Sequence, residues 1–185
     1  MLLHRVFPYL ASAVAGDPGH PEYEHRPQRG GRVDHPDDFV WYLAREAAGA
    51  VGESFGNLSA WDPSMFEFPL LPGARRALGT YALPDDLRVL DLDDPAELAQ
   101  RGLRPTQIVA RNLAVTQAWG HGIWDERDPH EPATRRWQAV QWWSFQRPTW
   151  SILASWARPT CVQVEPLTLA HPAVRDAADA LLRVV

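Results

Sequence analysis

The chain has 185 residues, 45% of them apolar, which suits one globular domain with its own hydrophobic core. A formal charge of −5 and a pI near 5.8 argue against a surface built to neutralise bulk nucleic acid, but leave room for a local basic pocket that takes a small anion. The lone cysteine, Cys161, excludes an internal disulfide and a cysteine zinc cluster, and no stretch has the pattern of a signal peptide or the length of a membrane span, so the expected compartment is the cytosol.

Residues 2–10, LLHRVFPYL, have the apolar content of a strand, and the Pro-, Gly-, His- and Arg-rich stretch from Gly16 to Gly31 reads as a loop. FVWYLA, residues 39–44, is a compact aromatic and branched run that predicts a buried strand. The Ala, Arg and Glu content of AREAAGAVGESFGNL then predicts a helix despite internal glycines. Residues 62–74 read as an irregular connection, followed by short strands near Thr80–Ala82 and Leu87–Leu90. Asp94 as N-cap, Pro95 at the first helical position and Gly102 at the stop delimit a short helix. Ile108, Ala110, Leu113, Ala114, Gln117 and Ala118 recur at helical spacing, predicting one helix from Thr106 to near Gly120. After a polar segment come a strand over WQAVQWWSFQ, leading into Ser144, and strands over ILASW and CVQVEPLTL. HPAVRDAADALLRVV closes the chain as an amphipathic helix. There are no repeats or low-complexity tracts, and the mixture predicts an α+β fold in a single domain over residues 1–185. Its nine Trp are expected in the core.

The chemistry-bearing candidates are few. Gly30-Gly31-Arg32 offers a tight backbone corner beside a guanidinium that suits a phosphate, although a simple turn with a solvated Arg has the same sequence. Tyr42 follows on a strand and Glu53 on the next helix, where a carboxylate among Ala, Val and Phe needs a partner or a task. Ser144 interrupts Trp142, Trp143 and Phe145, and either serves a site or is satisfied by backbone. His20, His25 and His35 match no zinc spacing and are expected as solvated loop residues, so no metal site is assigned. His121, between two glycines, either lines the site or, the blander role, caps its helix, and Glu126 and Asp128 are expected as solvated loop charges.

In order along nearly the whole chain, HRV, GGRV, VWYLA, GAVGESF, LRVLDLDDPAELAQRGL, VTQAWGHGIW and VQWWSF resemble the RES-domain family. The resemblance carries Arg5 and Arg32 onto the family's arginines, Tyr42 onto its strand tyrosine, Glu53 onto its glutamate and Ser144 onto its serine. Val33-Asp34 stand where family members commonly have Trp-Asn, and aromatic residues surround the serine. The resemblance implies a fold like ADP-ribosyltransferases and diphtheria-type toxin domains, NAD as substrate rather than cofactor, and action as a toxin paired with an Xre-type antitoxin that blocks the NAD site.

These residue types suit cleavage of the nicotinamide–ribose bond, in which oxocarbenium character grows on the ribose while neutral nicotinamide leaves. On that expectation Glu53, Arg32 and Ser144 are catalytic: Glu53 supports the developing positive charge and Ser144 orients the ribose or the amide. Arg5 and Arg32 hold the pyrophosphate, Tyr42 flanks the nicotinamide ring, and water or inorganic phosphate is the acceptor. Transfer of ADP-ribose to a macromolecule, or a non-catalytic binding domain whose site has decayed, are the alternatives.

Overall fold

The computed structural model describes residues 1–28 and 30–185; Arg29, inside the loop expected over residues 16–31, lies outside the described residues. One mixed sheet organises the chain. Its strands are β1 (Leu2–Tyr9), β2 (Trp41–Ala44), β3 (Arg75–Ala82), β4 (Val89–Asp91), β5 (Ala139–Trp143), β6 (Ser151–Ser155) and β7 (Thr160–Pro166). They lie in the order β4-β5-β6-β2-β1-β3-β7, with β4 parallel to β5 and every other pair antiparallel. The helices are α1 (Ala47–Phe55), α2 (Pro95–Gln100), α3 (Pro105–Ile108), α4 (Leu113–Asp125) and α5 (Pro172–Ala180), plus a single 3₁₀ turn at Pro63–Phe66. The α+β class expected from the sequence is the one the chain adopts.

Strand alternation divides the apolar side chains between the two faces of the sheet. Val6, Ala44, Leu78, Val140, Trp142, Ile152 and Ala154 face the helices and pack with Val51 and Phe55 of α1, Trp119 and Ile123 of α4, and Val174 and Ala177 of α5. Leu3, Trp41, Leu43, Tyr81, Ala139 and Leu153 form a smaller cluster on the opposite face. Trp41, Trp61, Trp119, Trp142 and Trp150 are all buried, the core role expected for tryptophan.

Several expected elements change in extent, two of them for reasons visible in their contacts. The strand expected at Thr80–Ala82 begins five residues earlier, at Arg75, because it is paired along its length by β1 on one side and β7 on the other, and that ladder outweighs the weak strand propensity of Arg76 and Gly79. The single helix expected from Thr106 to Gly120 is two: α3 ends at Ile108, and α4 starts afresh with Asn112 as N-cap, its side chain accepting from the Ala114 amide at 3.0 Å. Nor does α4 stop at Gly120. That residue is the contact point of α4 with Val33, whose atoms would lie 2.9 Å from a Cβ there, so the glycine permits packing and does not end the helix.

Candidate active site

The site forms where two neighbouring strands part. β1 and β3 pair from Leu2↔Ala82 to Tyr9↔Arg75, whereas the register of β1 with β2 consists of His4↔Ala44. In a continued antiparallel ladder Arg5 would face Leu43 and Val6 would face Tyr42. Instead these four residues line a cavity of about 500 Å³, within the range of small-molecule sites. Glu53 and Ala50 of α1, Trp142 and Ile152 of the sheet, and His25, Gln28, Gly30, Gly31, Arg32 and Asp34 also line it.

The Gly-Gly-Arg corner is held from several directions. The buried Asp34 accepts from the Gly31 amide at 2.7 Å and from the Tyr42 hydroxyl at 2.7 Å, and that hydroxyl accepts from the Val33 amide at 3.0 Å. A Cβ at residue 31 would overlap both the Tyr42 hydroxyl and the Asp34 carboxylate, so this closeness requires glycine. From α4, Gln117 donates to the Gly31 carbonyl at 3.0 Å and His121 Nε2 lies 2.8 Å from the Asp34 carbonyl. Arg32 turns one nitrogen, Nη1, to the carbonyls of Ile108 and Ala110 in the break between α3 and α4. Its Nε and Nη2 have no hydrogen-bond partner among the described residues and are available to a ligand at the cavity.

Electrostatically the cavity is divided. Arg5 lies over the Trp41 ring, 5.1 Å from its centroid. Burial lowers the pKa of Arg5 and Arg32; for Arg32, Glu53 and Tyr42 oppose the shift and Arg111 adds to it, and both guanidinium groups remain cationic. Burial and the adjacent Asp34 carboxylate push the Tyr42 phenol far above its ordinary value, so it stays a neutral donor. Burial lowers His25, helped by the charge of Arg5, and burial also lowers His4. Glu53 also lines the cavity, is exposed, and accepts a hydrogen bond from the Ser144 hydroxyl. Ser144 itself is fully buried at the end of β5, and its Oγ also accepts from the amides of Gln146 at 2.9 Å and Arg147 at 3.3 Å.

The RES domain family model matches residues 2–176. The chain belongs to the RES-domain family. A chain in the crystal structure of the M. tuberculosis MbcT–MbcA toxin–antitoxin complex is similar in fold, with a TM-score of 0.61 and 23% identity over 91% of this chain and 85% of that one. Among curated proteins none matches significantly.

In this RES domain, Arg5, Arg32, Tyr42 and Glu53 all line the same cavity. Ser144 does not line it; it touches Glu53 from behind, so any effect on a ligand passes through the carboxylate. Several expectations are corrected. His25 is part of the cavity wall, not a solvated loop residue. His35 is stacked on Trp124, with ring centroids 3.9 Å apart, and its side chain is only 9% exposed. His20 is half-buried and accepts from the Glu22 amide at 3.2 Å. His121 lies within α4 and braces Asp34, so it caps nothing. Glu126 is half-buried and forked by Arg101. Asp128, by contrast, is the surface loop charge expected, and it accepts from the His130 amide at 2.8 Å. Asp34 and Gln117 were not among the expected site residues: Asp34 enters the sequence reading only as a departure from the family's Trp-Asn, and Gln117 only as a helical position. Among the described residues, no helix is long and apolar enough to cross a membrane.

Proposed function

We propose that this RES domain cleaves the nicotinamide–ribose bond of NAD, and that it acts as the toxin of a toxin–antitoxin pair. The observation that carries the first part is the convergence of Glu53, Arg5 and Arg32 on one cavity, with Glu53 exposed and Arg32 Nε and Nη2 unbonded among the described residues. An NAD molecule bound there sets its pyrophosphate against the arginines and its nicotinamide ribose against Glu53, with Tyr42 beside the nicotinamide ring. As the glycosidic bond lengthens, its electron pair leaves with neutral nicotinamide and positive charge grows on the ribose, where a fixed carboxylate is worth most. Ser144 keeps Glu53 aimed. Water or inorganic phosphate then takes the ribosyl carbon, giving ADP-ribose or its 1-phosphate.

The toxin assignment rests on family membership and on the fold shared with a chain of a toxin–antitoxin complex. An Xre-type antitoxin that covers the cavity is the proposed partner. The reading of a decayed site has less support, since the aromatic residues around Ser144 leave its bond to Glu53 intact.

The test is to incubate the purified protein with NAD, with and without inorganic phosphate, and to separate the products. Nicotinamide release in step with NAD loss is expected, and phosphate dependence selects phosphorolysis over hydrolysis. Intact NAD under both conditions overturns the reading, and ADP-ribose appearing only on an added protein would favour transfer to a macromolecule.

A further inference from the structure

Arg32 and Glu53 line the same cavity, and each is held by a group that does not line it: Arg32 by the Ala110 carbonyl, Glu53 by the Ser144 hydroxyl. The next residue along the chain from each anchor is Arg111 and Phe145, and these two meet. The Arg111 guanidinium lies over the Phe145 ring, 4.7 Å from its centroid. Phe145 is 44% exposed, and Arg111 is exposed as well. Among the described residues no carboxylate pairs with Arg111. The aromatic face therefore holds a guanidinium without neutralising it, a short step along the chain from where Arg32 is anchored. Arg111 directly follows Ala110, whose carbonyl accepts from Arg32 Nη1, and its charge adds to the lowering of the Arg32 pKa, so two cations lie close together in a protein of net negative charge. Such an arrangement is relieved by an anion lying between them, and planar guanidinium groups favour phosphate oxygens.

We propose that Arg111, held by Phe145, joins Arg32 in a phosphate-binding site beside the cavity that Arg32 lines. The proposal deepens the reading of the cavity as the NAD site and rests on it for the identity of the ligand. The phosphate chemistry has two sources, the pyrophosphate of the dinucleotide or free inorganic phosphate delivered as acceptor.

The experiment is calorimetric titration of the full chain with three probes, ADP-ribose, inorganic phosphate and nicotinamide, for the wild type, Arg111→Ala, Arg111→Lys and Phe145→Leu, with thermal melting to verify folding. Arg111→Ala is expected to weaken at least one phosphate-bearing probe by about tenfold or more, as for loss of a charge-assisted hydrogen bond, and to leave nicotinamide unchanged. Arg111→Lys should recover part of that loss, and Phe145→Leu should give a smaller one. Loss confined to ADP-ribose assigns the site to the dinucleotide, and loss confined to inorganic phosphate assigns it to the acceptor. Unaltered binding of both phosphate probes by Arg111→Ala overturns the proposal, even if the wild type consumes NAD. Weakened binding in a protein that leaves NAD intact supports the anion site while removing the proposed reaction.

Discussion

Two glutamates in this molecule have opposite surroundings. Glu126, at the end of α4, is forked by Arg101 at 2.6 and 2.7 Å, receives the Trp137 indole N–H at 2.7 Å and has Arg136 at 4.0 Å. Burial would raise its pKa, but the hydrogen bonds from Arg101 and Trp137 and the arginine charges outweigh it and hold the carboxyl below its ordinary value. Glu53 has one hydrogen-bond donor, Ser144, and among the described residues no ion pair, although two arginines line the same cavity. A carboxylate whose charge is already answered has nothing left for a ligand. One that faces cations across open space does, and this difference separates the structural charge cluster from the site.

Breaking the comparison at Glu53 gives the largest expected effect. Glu53→Gln keeps the shape and a group for Ser144 to bond, but removes the charge that meets the growing oxocarbenium. Turnover of NAD should fall by about 10²–10³-fold, the loss expected for one preorganised electrostatic group. Melting temperature and affinity for NAD should change little; steady-state kinetics beside a melting curve decides this, and unchanged turnover removes Glu53 from the chemistry. At Glu126 the expected effect is on stability alone. Arg101→Ala strips the fork from a half-buried carboxylate and should cost about 2 kcal/mol in denaturant unfolding while sparing kcat. The pH dependence has a definite sign. Because the folded pKa of Glu126 is depressed, its stabilisation is present above the unfolded value, about 4.3, and is lost as pH falls through the folded one. Glu126→Gln should therefore lose stability at neutral pH and show a shallower decline than the wild type below about pH 4. Parallel acid limbs for the two proteins would contradict the assignment.

The sequence was informative where local rules set the outcome. Asp94 and Pro95 start α2 as N-cap and first residue, and the periodic apolar positions of residues 171–185 give α5. Arg32, Tyr42 and Glu53 were legible because spacing and residue type agree with a family order. What escaped was set by contacts distant in the chain. The parting of β1 from β2 leaves no local trace, since Arg5, Val6, Tyr42 and Leu43 have ordinary strand propensity. Glu126 read as a solvated loop charge because Arg101 and Trp137 reach it from other segments. His35 read as solvated because its stacking partner Trp124 lies on α4. Ser144 stands out in the sequence among aromatic residues, but only its burial behind Glu53 separates positioning from direct contact.

That separation gives the smallest effect and the sharpest test. Ser144→Ala leaves Glu53 charged but without its donor, and leaves the amides of Gln146 and Arg147 without their shared acceptor. Some stability, about 1–2 kcal/mol, should go with those amides. If Ser144 acts only by aiming Glu53, kcat should fall about tenfold with KM for NAD unchanged, because a side chain wholly outside the cavity has no substrate contact to lose. A double-mutant cycle carries the argument further. In the Glu53→Gln background the serine has no carboxylate left to aim, so Ser144→Ala should cost no further turnover. Additive losses, or a raised KM in the single variant, would mean that Ser144 reaches the substrate itself and that the cavity opens past Glu53 when NAD binds.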